Sequence, residues 1–230
     1  MKIEQAKATA AKSLSKYDIE FEAISDYLNI LSKQENIQEA ERIKSQLLLL
    51  KNKHENELRQ SSLIVFNHAC ALLYLKKKEY ERAIDLWRQN VGNKDIDKRQ
   101  LDTNNRWLGI AYYENNDFGN ARQYLVPYIG DIENAENHNA LSAYLYVCKM
   151  DMVENAENIF ENISMGLQKA KDTGDGYYIA EFEYLLGKYY KQKGEKELAE
   201  EYFIRAKDIF NKTDCFNKIK GVETEIAELV

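Results

Sequence analysis

The chain has 230 residues, 44% hydrophobic and 30% charged, and its 38 acidic against 32 basic side chains leave a formal net charge of -6. That composition is of a globular chain long enough to bury a full core. It excludes general disorder and a dominant basic face for nucleic acid or anionic membrane. Cys70, Cys148 and Cys215 are widely spaced and form no CxxC, so neither a disulfide scaffold nor a zinc site is indicated, and a reducing cytoplasm fits. The first twenty residues lack the apolar run of a secretory signal, and no stretch approaches the ~18 apolar residues of a membrane span. One Pro and ten Gly leave few helix breakers. Together with abundant Ala, Leu, Glu, Lys and Gln, they predict an all-α chain.

In chain order, residues 1–16 read as a short charged cap helix. "ISDYLNILSKQENIQEAERI" then sets Tyr27, Leu31 and Ala40 on the facing sides of a first helix pair, and "ACALLYLKKKEYERAIDLW" does the same with Ala71, Tyr74, Ala83 and Trp87. "WLGIAYYENNDFGNARQYL" repeats the arrangement with Leu108, Gly109, Tyr112, a polar turn, Ala121 and Leu125; Pro127 is expected to shorten or kink the helix that follows. The fourth pair, "SAYLYVCKMDMVENAENIF", carries Tyr144, Val147, Ala156 and Phe160, and its second helix is lengthened by "IFENISMGLQKAKDTGDGYY". "LLGKYYKQKGEKELAEEYFIRA" closes the series. Leu186 and Tyr190 share a face, Gly187 beside them admits a close neighbour, Gly194 ends the helix, and Ala199, Phe203 and Ala206 mark its partner. Residues 214–230 read as a C-terminal cap helix. The small residue of each second helix falls at Ala40, Ala83, Ala121, Ala156 and Ala199, intervals of roughly 35 to 43 residues, as in helical-repeat architectures. The reading is a single domain over 1–230, with about five antiparallel helix pairs across 17–211.

Leu-Gly-x-x-Tyr at 108–112 and 186–190, each followed by the small Ala and a large apolar residue four later, resembles the tetratricopeptide repeat. The resemblance covers most of residues 18–211. It implies a right-handed superhelix of helix pairs, an α-solenoid that binds a protein or peptide in its concave groove without catalysing a reaction. The lengthened later repeats are similar to those of bacterial peptide-pheromone receptors, including the Rap and PlcR-like regulators, which implies the alternative of a peptide-sensing regulatory domain. The effector part usual in those receptors is not evident in this sequence.

Offsets of about 100° per residue from the hairpin-facing positions give the expected concave face. The candidate binding residues are Asn29 in the first pair, His68 and Leu72 in the second, and Arg106, Ile110 and Tyr113 in the third. Leu141 and Leu145 follow in the fourth, and Tyr184 and Lys188 in the fifth. Arg106 suits a carboxylate, while Asn29 and His68 suit a peptide backbone. The apolar members have two readings: a strip for an extended peptide or amphipathic helix, or contacts between neighbouring first helices. The Lys and Asn set of chaperone-tail clamps is not reproduced across consecutive repeats.

Strings that look catalytic read otherwise. "DFG" at 117–119 lacks the companion kinase motifs and reads as a hairpin turn, and the lone "DTG" at 172–174 reads as a helix end. His54, His68 and His138 lie far apart without HExxH, and neither a P-loop nor GxGxxG is present. The expectation is a cytoplasmic, non-enzymatic module with no cofactor or metal. Its partner is a protein or peptide rather than nucleic acid or membrane, and self-assembly through the terminal helices stays open.

Overall fold

The computed structural model describes residues 16–133 and 138–229, with side chains apart from 130–133, 138 and 139. The expected cap at 1–16 lies outside the described residues except for Lys16. Among the described residues every regular element is helical. No helix among them is long and apolar enough to cross a membrane. The chain forms two compact units, residues 1–116 and 117–230.

The first unit contains α1 (Lys16–Lys33), α2 (Ile37–His54), α3 (Gln60–Lys76), α4 (Tyr80–Val91) and α5 (Lys98–Glu114). The second contains α6 (Phe118–Leu125), α7 (His138–Val153), α8 (Ile159–Thr173), α9 (Gly176–Lys193), α10 (Lys196–Lys212) and α11 (Phe216–Ala227). A 3-10 turn spans Val126–Glu133, so the helix holding Ala121 and Leu125 stops two residues before Pro127. That is where a residue without a backbone donor breaks the hydrogen-bond ladder.

The turns after α1, α3, α5, α7 and α9 share one device. Glu35, Lys78, Asn116, Asn155 and Gly194 all adopt the left-handed conformation, about 40 residues apart, and Gly174 after α8 and Asp214 after α10 adopt it as well. In four of the first five the next residue's N–H reaches back to the carbonyl five residues earlier in the helix: Asn36 to Leu31, Glu79 to Tyr74, Ala156 to Asp151, and Glu195 to Tyr190, at 2.9 to 3.0 Å. This closes each helix with the bond pattern of a Schellman cap. Asp117 and Asp175 then cap the next helix by accepting the N–H of Asn120 and Tyr178, while Asp97 and Gln100 form a reciprocal capping box. "DFG" therefore opens α6, and "DTG" ends α8 on a left-handed Gly174.

In the first unit, Phe21, Leu28 and Leu31 of α1 pack with Ala40, Ile43 and Leu47 of α2 and Phe66, Ala69 and Leu73 of α3. α1 and α3 run parallel, since Arg59 and Ser62 bond to Asp18 and Glu22 at one end and Lys76 meets Glu35 at the other. In the second unit two cores adjoin. One joins α7, α8 and α9 through Tyr144, Leu145, Ile163, Leu167 and Phe182; the other joins α9, α10 and α11 through Ala180, Ala199, Phe203, Phe210 and Val222. Glycines set the closest approaches. A β-carbon on Gly166 would stand 2.4 Å from the Phe182 ring, and one on Gly187 would stand 2.5 Å from Phe203.

Candidate functional site

In the first unit the candidate residues lie on α1, α3 and α5, and a buried amide chain ties α3 to α5. Asn90 of α4 donates to the Ile64 carbonyl of α3 and to Asn104 of α5, both at 2.9 Å. It accepts from Asn67 at 3.1 Å, and Asn104 in turn donates to the Gln100 carbonyl. Each buried amide thus has partners, and the spacing of α3 and α5 is fixed through α4.

Above that chain stand two tryptophans. Trp87 stacks on Trp107 with centroids 6.1 Å apart, and its indole N–H donates to His68 Nδ1 at 3.1 Å. This bond places the ring proton of neutral His68 on Nε2. Burial, and then the positive charges of Lys33 and Arg106, push the His68 imidazolium down to about 4, so the ring is neutral near pH 7. The Arg106 guanidinium lies 4.8 Å over the Trp107 ring. On α1 the Asn29 side-chain oxygen is buried without a hydrogen-bond partner. Lys33, one turn further along, has its amine pushed down first by burial and then by the field of Arg106, with Asp26 opposing.

Lys33, His68 and Arg106 thus lie within reach of one another's charge, and Asn29 stands one turn before Lys33, which the sequence reading does not include. The signal was present as the i+4 neighbour of Asn29. Glu22, Ser25 and Ser32 share the helical face of Asn29 on α1 but do not join the site. Instead, Glu22 pairs with Arg59, while both serines are buried and bonded to the Phe21 and Leu28 carbonyls. Leu72 and Ile110 are 1% and 2% exposed, so they follow the second of their two readings, interior packing. Tyr113 is half-buried.

In the second unit Leu141 and Leu145 are likewise interior, packed with Phe182 and Leu186. Tyr184 and Lys188 face another task. The Tyr184 hydroxyl donates to Glu225 of α11 at 3.2 Å, and the Lys188 amine lies 5.8 Å from the Tyr184 ring. Lys191 pairs with Glu225 and Glu228, and Lys218 with Glu181. The face of α9 that the wheel assigned to a partner is thus seated against the C-terminal helix. Glu181, 2% exposed, also meets Lys149 of α7. Burial raises its carboxyl, but the charges and hydrogen bonds of Lys149 and Lys218 outweigh that and bring it down to about 2.

No family model and no curated protein matches this chain.

Proposed function

We propose that the chain is a non-catalytic helical-repeat scaffold that holds a polypeptide segment across α1, α3 and α5. The observation that carries this reading is the buried, unpartnered Asn29 oxygen of α1, one turn before Lys33, whose amine feels the charge of Arg106. An amide oxygen withdrawn from water without a donor is costly, and a peptide N–H is the donor that an extended segment supplies. The cations beside it suit a carbonyl or carboxylate, and the exposed part of Trp107 offers an aromatic wall. The unbroken succession of helices joined by short turns supports the wider reading of tetratricopeptide-like pairs wound as a right-handed superhelix. Three unpaired thiols support a reducing, cytoplasmic setting.

A second reading, a peptide-sensing regulatory domain similar to the Rap and PlcR-like receptors, rests on the resemblance of the later repeats alone, since α8 with 15 residues is shorter than α2 with 18 and α10 with 17. Panning a phage-displayed library of random peptides on the wild type and on the Asn29→Ala/Lys33→Glu double variant tests the site. A consensus enriched on the wild type and lost on the variant, with helical circular dichroism unchanged, is expected. Equal enrichment on both, or none on the wild type, removes the site from this face. A change in α8 amide exchange on adding the selected peptide separates the sensor from the passive scaffold.

A further inference from the structure

Two carboxylates on α9, two residues apart, are buried in opposite circumstances. Glu181 meets Lys149 at 2.9 Å and Lys218 at 2.6 Å. Glu183 is 3% exposed, but its cations stand off: Lys171 of α8 at 3.6 Å and Arg205 of α10 at 3.9 Å. Both distances exceed the ~2.7–2.9 Å of a charge-assisted hydrogen bond. Both cations are themselves half-exposed, and Arg205 is shared, since it also bonds to Glu201 and lies 5.1 Å over the Tyr202 ring. One Glu183 oxygen is buried with no hydrogen-bond partner among the described residues.

A buried carboxylate short of donors is costly as an anion and far less so as an acid. Three charged groups face it from the helices packed on α9: Lys171 from α8, and Arg205 and Glu201 from α10. Burial pushes the carboxyl up, Lys171 and Arg205 pull it down, and Glu201 adds to the rise, so that it settles above the ordinary 4.5. Its position gives the charge a mechanical role. In the order of helix pairs, α8 and α10 are the second members of adjacent pairs, and Glu183 is the point on α9 that attracts a side chain from each. Contacts between neighbours set the geometry of a repeat stack. We propose that Glu183 is a proton-linked brace: as an anion it draws Lys171 and Arg205 to one point on α9 and ties α8 to α10, and on taking a proton it releases both.

Carbon-13 NMR of the full chain, labelled at the glutamate carboxyls, tests this. The wild type should show a resonance that titrates above pH 4.5 and is absent from Glu183→Gln. Lys171→Met, a change at a half-exposed side chain, should move that resonance further up. Release is read on the Lys171 amine by pulsed acetylation, taken as a ratio to exposed Lys212 in the same molecule. The ratio should rise in the wild type as pH falls from 7 toward 4.5 and stay constant in Glu183→Gln. A folded carboxyl above its unfolded value contributes stability that is complete below pH 4.5 and lost as pH rises through the folded value. Removing the charge strands no buried cation, so at pH 7 the unfolding constant of Glu183→Gln in urea should lie about fivefold or more below that of the wild type. The gap should close toward pH 4.5. A Glu183 resonance titrating at or below 4.5, one that Lys171→Met leaves in place, or an acetylation ratio unmoved by pH in the wild type overturns the proposal.

Discussion

At Gly187 and Gly166 the side chain is absent because an aromatic ring occupies its place. With 2.4 to 2.5 Å from a built β-carbon to Phe182 or Phe203, an added methyl displaces a fully buried ring in a packed core. Gly166→Ala and Gly187→Ala are each expected to cost about 1–3 kcal/mol in urea unfolding. Gly221 in α11 is the contrast, since nothing lies within 4 Å of its β-position. Gly221→Ala should be stabilising by about 0.5–1 kcal/mol through helix propensity alone. Equal effects at the three positions would show that ring contact does not govern them. His68 makes a different prediction. Its folded value near 4 lies below the ordinary 6.5, so the contribution of the neutral ring is complete above pH 6.5 and is lost as pH falls toward 4. Between pH 6.5 and 5.5 the wild type should lose about 1 kcal/mol more than His68→Gln, measured by urea unfolding at both values. Parallel pH profiles would mean that the buried ring is not the group that titrates.

At the scale of elements, α11 shows how a short helix is held where apolar burial is modest. Val222 is its only fully buried hydrophobic residue, with Ile219 and Ile226 partly buried. The polar seam to α9 therefore decides its seat, and Glu181 is the centre of it. A buried carboxylate between two lysines is stable only while both remain. Lys149→Met/Lys218→Met should cost about 3–5 kcal/mol, because the carboxylate is left uncompensated. The double variant should also reverse the acid response. In the wild type the folded carboxyl near 2 lies below its usual 4.5, so its contribution is full above pH 4.5 and falls as pH drops toward 2. Without the lysines burial alone acts and raises the carboxyl, so the variant should gain stability as pH falls from 7 toward 5. Urea unfolding across that range distinguishes the two signs, and a variant that keeps the wild-type slope would place the compensation elsewhere.

For the whole molecule, the hairpin series was legible where it is local: Ala40, Ala83, Ala121 and Ala199 lie in second helices and Pro127 marks an early stop, whereas Ala156 falls in the turn before α8 and Tyr27 is exposed instead of packed on its hairpin partner. The face assignments were only partly legible. A wheel gives the direction of Leu72 or Tyr184 from its own helix, but not whether another helix covers it, as α11 covers Tyr184. So Lys33 was missed, Leu72, Ile110, Leu141 and Leu145 went to the interior, and Tyr184 was placed on an open groove although it bonds to Glu225. The contacts within residues 1–116 and within 117–230 carry a further consequence. Both tryptophans of the chain, Trp87 and Trp107, lie in the first unit, so indole fluorescence reports that unit alone while far-ultraviolet circular dichroism reports all helices. In a repeat array stability is a sum of local and nearest-neighbour terms, so a lesion in one unit need not propagate fully to the other. Gly187→Ala in the second unit should therefore lower the midpoint followed by circular dichroism more than the midpoint followed by fluorescence, and the two curves should separate. Trp87→Phe, which leaves His68 without its indole donor, should do the opposite and move the Trp107 fluorescence transition first. Coincident shifts by both probes in both variants would instead establish one cooperative unit extending over residues 16–229.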